Sequence, residues 1–329
     1  MIAVRTPCRL HFGLLAYGPG QQRQFGGVGL MIHSPDIEVQ VQPARRFTAT
    51  GPLARQAETF ARCFAQRAAQ RGLVQPITGA QIRVVRAPRP HSGLGSGTQL
   101  AMAVGDAMAR LTGCCDLCPA QLASLVGRGL RSAVGAHGFF SGGFIVEGGK
   151  SRQDDLSPKL MHLAFPDQWR IVLVTPERLT GICGQREREA FWNMQPIDPV
   201  CTADMCRLVL LGMAPALVEQ DLTAFGQALY HLQIRAGECF QQVQGGIYAD
   251  PVLARIVTYM RSCGIDGVGQ SSWGPTLYAI CHASEAAALQ AAVQRQFALT
   301  DEEVITTCAD NRGRTRCEDI HHRSGRTGR

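Results

Sequence analysis

Pro88-Arg89-Pro90-His91-Ser92-Gly93-Leu94-Gly95-Ser96-Gly97-Thr98 stands between an alternating pattern, Gln81 to Arg86, and a run of small residues from Thr98 to Leu111. The alternation predicts a strand and the small-residue run a helix. Three glycines at the junction strip side chains from the place where a polyanion would approach. The hydroxyls of Ser96 and Thr98 and the free amides of the helix start then face that anion, aided by the helix dipole. A plainer alternative is an ordinary helix start with Ser96 or Thr98 as N-cap.

Composition narrows the chemistry around that loop. The 329 residues carry 33 Lys+Arg against 26 Asp+Glu, a net charge of +7, and only Lys150 and Lys159 are lysines. A lysine-based phosphate loop is excluded, because Gly149-Lys150-Ser151 lacks the glycine frame upstream. From Asn311 to Arg329 six arginines face Glu318 and Asp319, so four of the seven excess charges sit there. The remaining body is close to neutral, which argues against a face that grips duplex nucleic acid. Thirteen cysteines are odd in number and scattered, as expected for reduced thiols in a cytoplasmic protein. Cys114-Cys115-Asp116-Leu117-Cys118 has no matching second pair, so a helix-to-helix turn is favoured over a zinc site. The longest stretch free of charged residues, Gly267 to Ser284, is too rich in glycine, serine and proline to span a membrane.

Outward from the loop, Ala3 to Thr6 and Leu10 to Leu15 read as strand, and Asp36 to Gln42 alternates as a half-buried strand. Phe25-Gly26-Gly27-Val28-Gly29 is a glycine-rich turn between them. Leu53 to Arg71 is an amphipathic helix stopped by Gly72. Gly142 to Gly148 reads as a buried strand and Gly149 to Pro158 as a linker. The second half predicts a strand at Trp169 to Val174, then helices at Arg186 to Met194, Pro199 to Leu217, Leu222 to Phe240 and Pro251 to Cys263. A strand at Thr276 to Cys281, a helix at Glu285 to Phe297 and a strand at Glu303 to Thr307 complete it. This order predicts an α+β sandwich with helices on one face of a sheet.

Gly93-Leu94-Gly95-Ser96 resembles the phosphate loop of the GHMP kinase superfamily. Gly267-Val268-Gly269-Gln270-Ser271-Ser272-Trp273-Gly274-Pro275-Thr276 resembles its third motif, and Pro7-Cys8-Arg9-Leu10-His11-Phe12-Gly13-Leu14 stands where its first motif does. The resemblance implies a two-domain α+β fold: a ribosomal-protein-like α/β domain over 1–160, then a ferredoxin-like domain over 161–310. Residues 311–329 are then expected to be a basic, disordered tail. Two positions depart from the kinases. Gly97 replaces a second serine, and Gly135-Ala136-His137 replaces a segment bearing a catalytic aspartate.

Those departures fit one non-kinase branch. Arg9 to Leu14, Gly93 to Gln99, Gly127 to Phe139 and Gln270 to Thr276 together resemble the β-ribofuranosylaminobenzene 5′-phosphate synthase family. The resemblance implies transfer of phosphoribosyl from phosphoribosyl pyrophosphate to 4-aminobenzoate or 4-hydroxybenzoate, releasing pyrophosphate and carbon dioxide. Such an enzyme must hold two small anions and stabilise a departing diphosphate. Magnesium is implied on the pyrophosphate, with no organic cofactor. Glu147 and Asp106 are available as ligands, but the sequence does not choose between them. Gly93, Gly95, Ser96, Gly97 and Thr98 would cradle phosphate. Arg9, Arg128 and Arg131 would clamp phosphate or carboxylate, the last two sharing a face if their segment is helical and having little to pack on. Ser132, Gln270, Ser271 and Ser272 complete the matched motifs, and Trp273 would stack on the aryl ring or fill core. His11 and His137 are the acid/base candidates. No nucleic-acid or membrane partner is expected, and members of the family commonly form homodimers. An ATP-dependent kinase is the runner-up reading, and a nucleic-acid-binding protein acting through the arginine-rich tail is the third.

Overall fold

The structure is a computed structural model that describes residues 1–152, 155–181, 189 and 194–318. The helix expected at Arg186 to Met194 falls largely outside those residues.

Two long antiparallel strands form the spine of the first half. Strand β1 (Ile2–Ala16) runs against β2 (Phe25–Pro43), which is too long for a single neighbour on its other side. Glu38 to Pro43 of β2 pairs with β4 (Ala80–Arg86), and Gly27 to Leu30 pairs with β5 (Phe144–Glu147). Short β3 (Thr48–Thr50) lies parallel to β4, and β6 (Lys159–Leu163) pairs with β5. Alternation places Val39, Val41, Ile82 and Val84 inward, under helices α1 (Ala54–Gln70), α2 (Ser96–Leu111) and α3 (Pro119–Val126). Helix α2 is buried nearly all round because its alanines and glycines let strands and helices close on it. A Cβ on Gly105 would lie 2.4 Å from Val126 Cγ1 of α3. Short α4 (Val134–Ser141) leads into β5.

The second half is a four-stranded antiparallel sheet in the order β10-β7-β9-β8, with β7 at Trp169–Val174, β8 at Gly267–Gln270, β9 at Leu277–His282 and β10 at Val304–Thr307. Helices connect β7 to β8 and β9 to β10, which is the split βαβ arrangement of a ferredoxin-like domain. Between β7 and β8 come α5 (Pro199–Arg207), a π-helical stretch (Leu208–Met213), α6 (Ala214–Glu219), α7 (Leu222–Gln244) and α8 (Pro251–Ser262). The caps are legible: Asp221 accepts the Ala224 amide at 2.9 Å, and Asp250, before Pro251, accepts the Val252 amide at 2.7 Å. Helix α9 (Ala283–Phe297) and α8 cover the sheet through Ile256, Met260, Ala286 and Leu289.

Pro199–Glu219 is long and apolar enough to cross a membrane by length and composition, with 39% of that window buried. Met205, Val209, Met213 and Leu217 take part in the core, whereas Leu211 and Val218 are exposed. The single helix expected there is interrupted by the π-helical stretch, where Gly212 comes close to Ala228 of α7.

The structure corrects two boundaries. Residue 160 lies inside β6, a strand of the first sheet, so the first domain runs past it. Lys150, expected in a linker, is buried, bridges to Gln24 and stands 5.5 Å from the Phe25 ring centroid. The chain also continues as structure beyond 310. Strand β11 (Thr315–Glu318) pairs with β1, Ile2 opposite Glu318, and closes the edge of the first sheet. Arg316 Nε donates to Asp106 Oδ2 at 2.7 Å and Arg314 Nε lies 3.2 Å from Asp106 Oδ1. Part of the expected basic tail is therefore internal, held by a carboxylate in the middle of α2. Residues 319–329 lie outside the described residues.

Candidate active site

A cavity of about 650 Å³ opens where the two sheets meet. Its walls come from β1, the loop before α2, the loop 127–133, the first turns of α1, the far end of α7 and the turn between β8 and β9.

Backbone contacts lock the glycine loop to the second half. Arg9 donates its amide to Leu94 O at 3.0 Å and Nη1 to Gly93 O at 3.2 Å. Ser271 Oγ donates to the same Gly93 carbonyl at 2.8 Å and accepts the His11 amide at 3.1 Å. A Cβ on Gly93 would stand 2.3 Å from Ser271 O, and one on Gly274 would stand 2.2 Å from Gly93 N. Two glycines are thus required because two backbones touch. Strand β1 carries an irregularity between His11 and Gly13, beside which Gln233 donates Nε2 to Phe12 O and accepts the Gln270 amide at 2.8 Å. Such bulges redirect side chains next to sites.

One side of the cavity suits anions. Helix α2 begins at Gly95, whose left-handed φ of 68° places it as N-cap with no side-chain capping bond. Ser96 and Thr98 are therefore not spent on capping, and both line the cavity beside the helix start. A Cβ on Gly97 would lie 3.3 Å from Arg128 Nη2, so that guanidinium stands over the loop. Arg9, Arg55, Arg128 and Arg131 all line the cavity, and among the described residues no Asp or Glu does. The segment holding Arg128 and Arg131 is an irregular loop rather than a helix. Contrary to expectation, Arg128 has something to pack on: its Cζ lies 4.7 Å from the Phe60 ring centroid.

His11 lines the cavity while being 8% exposed. Burial and then the neighbouring Arg9 charge hold its pKa well below the ordinary histidine value. Its Nε2 meets Ser132 Oγ at 3.1 Å, and Ser132 donates to Glu147 Oε1 at 2.7 Å. The structure does not bring His137 to this place. His137 is absent from the cavity lining, its Nε2 lies 2.8 Å from Ser157 O, and burial lowers its pKa. It serves to tie α4 to the segment before β6.

Another part of the lining suits an aromatic ring. Trp273, 8% exposed, meets Phe240 edge-on at a centroid distance of 4.8 Å, and both line the cavity with Ala236 and Ile247. Packing and cavity wall are here one role. Ser272 lines the cavity with its backbone at φ 56°. Gln270 accepts the Ala249 amide at 2.9 Å and donates to Ser272 O at 3.1 Å, so it shapes the turn. Ser271 is wholly buried and absent from the lining, which makes it a staple and not a ligand.

Neither available carboxylate offers itself to a metal. Asp106 is engaged by Arg314 and Arg316, and Glu147 is buried behind Ser132 and the Ala133 amide. Among the described residues no group of three His, Cys, Asp or Glu side chains could hold a metal ion, the Cys114 cluster included. Sequence reading missed Phe60, Arg55 and Thr59 of α1 and Phe240, Gln233 and Gln244 of α7. Helical spacing alone marks these as ordinary amphipathic positions, and only tertiary packing turns them to the cavity.

Residues 57–144 match the GHMP kinases N terminal domain and residues 213–299 the GHMP kinases C terminal family. The Beta-ribofuranosylphenol 5'-phosphate synthase of Archaeoglobus fulgidus is 35% identical over 330 residues, covering 95% of this chain and 98% of that protein. Its namesake in Methanothermobacter thermautotrophicus is 31% identical over 299 residues, covering 85% and 88%. Among solved structures, homoserine kinase from Cytophaga hutchinsonii superposes with a TM-score of 0.69 at 17% identity, covering 96% of this chain and 97% of that one. Mevalonate diphosphate decarboxylase from Staphylococcus aureus gives 0.67 at 13%, covering 97% and 99%. These structural likenesses show the fold.

Proposed function

The chain belongs to the Beta-ribofuranosylphenol 5'-phosphate synthase family, and from that premise we propose that it joins phosphoribosyl pyrophosphate to 4-hydroxybenzoate or 4-aminobenzoate, expelling pyrophosphate and carbon dioxide. The observation that carries this reading is the mixed lining of one cavity: among the described residues it has four arginines, a helix start and no carboxylate, together with Trp273 and Phe240. That arrangement fits a polyanionic sugar donor beside an aromatic acid.

As diphosphate departs, the anomeric carbon becomes cation-like and the ring carbon bearing the carboxylate attacks it. Loss of carbon dioxide restores aromaticity. Amides and hydroxyls from Gly93 to Thr98, with Arg9, Arg128 and Arg131, receive the phosphates and the charge that develops on the leaving group. Ring and anomeric carbon are held together by Trp273, Phe240 and Ser272, and His11, buried in the wall, is the base that acts on the acceptor. The described cavity residues, which include no carboxylate, do not fit a protein-built magnesium site. Magnesium would come as part of the substrate on the diphosphate, whose negative charge the chain's guanidinium groups attract.

The same reading places the protein in the cytoplasm as a homodimer without a nucleic-acid partner. Sedimentation of the purified chain tests the dimer. The kinase alternative is disfavoured by Gly135-Ala136-His137, which offers no carboxylate, and by a cavity lining with none among its described residues.

The test mixes protein, magnesium, phosphoribosyl pyrophosphate and carboxyl-labelled 4-hydroxybenzoate or 4-aminobenzoate. Label should leave as carbon dioxide only when every component is present. Consumption of ATP with an alcohol acceptor, and no release of label, would establish the kinase instead.

A further inference from the structure

From the cavity wall inward three polar side chains stand in line. His11 Nε2 lies 3.1 Å from Ser132 Oγ, which lies 2.7 Å from Glu147 Oε1. Glu147 Oε2 accepts the Ala133 amide at 2.8 Å, and the Val134 amide reaches Ser132 Oγ at 3.3 Å. The carboxyl is fully buried at the end of β5. A Cβ on Gly27 would come within 2.9 Å of His11 Nε2 and 3.1 Å of Glu147 Oε1. Strand β2 therefore leaves no room for a side chain at the crossing.

The protons of this line can be counted. A serine hydroxyl has one proton and two lone pairs, and an ionised carboxylate only accepts. With Glu147 ionised, the Ser132 proton goes to Oε1. The two lone pairs of Oγ are then taken by the Val134 amide and by His11 Nε2–H. The imidazole carries its proton on Nε2 and its lone pair on Nδ1, a tautomer fixed by the network.

We propose that Glu147 is the terminal proton acceptor of a relay that runs from the cavity through His11 and Ser132. The proposal rests on the function given above, in which a phenol or aniline lies against His11. The acceptor's hydroxyl proton passes to Nδ1, the Nε2 proton passes to Ser132 Oγ, and the Ser132 proton passes to Glu147 Oε1. One O–H bond breaks on the acceptor and one forms on Glu147. Serine and imidazole end neutral, with their hydrogen bonds reversed. The phenolate so formed pushes electrons to the para ring carbon, the atom that attacks the sugar.

Two displacements drive the proton the same way. Burial and the Arg9 charge oppose an imidazolium at His11, while burial raises the proton affinity of Glu147. A base that cannot hold a charge thus hands its proton to a carboxylate that lacks solvent. Ser132 also lines the cavity and Glu147 is buried; both act on the acceptor's proton through His11.

Glu147→Gln keeps the volume and removes the proton sink. With 4-hydroxybenzoate its kcat should fall about a hundredfold, the lower range for a lost acid–base contribution. With a ring-fluorinated 4-hydroxybenzoate, already ionised at the assay pH, the loss should shrink to about threefold or less. Ser132→Ala should show the same pattern. Equal losses on both acceptors in either variant would overturn the relay. A second measurement needs no turnover: ¹⁵N spectra of histidine-labelled protein, assigned with His11→Gln, should show His11 protonated on Nε2, and in Ser132→Ala that preference should vanish. Protonation on Nδ1 in the unsubstituted protein would also overturn it. If unsubstituted protein releases no carbon dioxide from either acceptor, the assigned function fails, while the spectra still decide the relay.

Discussion

Gly97 and Arg128 face one another across the mouth of the anion loop, and their substitution separates binding from folding. Gly97 has an ordinary negative φ, and its added Cβ would meet only the end of Arg128. Gly97→Asp should therefore leave the melting temperature within about 2 °C of the unsubstituted protein. Its carboxylate should nevertheless occupy the cradle and lower kcat/KM for phosphoribosyl pyrophosphate at least about a hundredfold. His11→Ala should reduce kcat by roughly 10²–10⁴, whereas His137→Ala should leave kcat within about threefold, because His137 holds Ser157 O outside the cavity. Since His11 is depressed in the folded protein, it stays neutral as pH falls through the ordinary histidine range. The acid limb of kcat against pH should lie below about 6.5. The sign for stability is the same: unfolded His11 takes up a proton that folded His11 refuses, so stability is lost as pH falls below that value. At this scale the sequence makes the glycine loop and Arg9, His11, Arg128 and Arg131 legible, because small residues and charges in irregular stretches have few other uses. It does not reveal that Ser271 is a staple and Glu147 a partner of Ser132, since both facts depend on contacts between distant segments.

At the scale of elements, strands and helices follow from alternation and caps, but the membership of sheets does not. Gln81 to Arg86 is found within one residue of its expected span, and the Asp250-Pro251 start of α8 is where the chain signals it. Lys159–Leu163 and Thr315–Glu318 carry weaker patterns, and pairing with β5 and β1 makes them strands. Close approach of helices is also a tertiary fact. Gly105 touches Val126 and Leu122 of α3, so Gly105→Val should destabilise the protein by ~1–3 kcal/mol in urea unfolding, with the cavity untouched.

For the whole molecule, the carboxylate of Asp106 is the joint between the helical layer and the last strand. Arg314 and Arg316, two of the arginines that make the chain's charge excess, are consumed there. Asp106→Ala removes the carboxylate that both guanidiniums share and should destabilise by roughly 3–5 kcal/mol, read as a lower melting temperature. Removing residues 315–329 should do the same, whereas a nucleic-acid arm would be dispensable for stability. Net charge read from the sequence suggests an anionic partner at the surface; the fold places that charge partly in an internal clasp and partly in a small cavity.

The pairing of β1 with β11 has a consequence for how the protein is made. The ribosome delivers β11 about 300 residues after β1, roughly a quarter-minute to a minute later at ordinary elongation rates. Throughout that interval the outer edge of the spine strand is open to any passing extended chain. The glycine loop waits too, since its floor at Ser271 and Gly274 is translated long after it. Nascent chains stalled before residue 274 should bind no sugar phosphate, and those stalled before 315 should depend most on holdase chaperones.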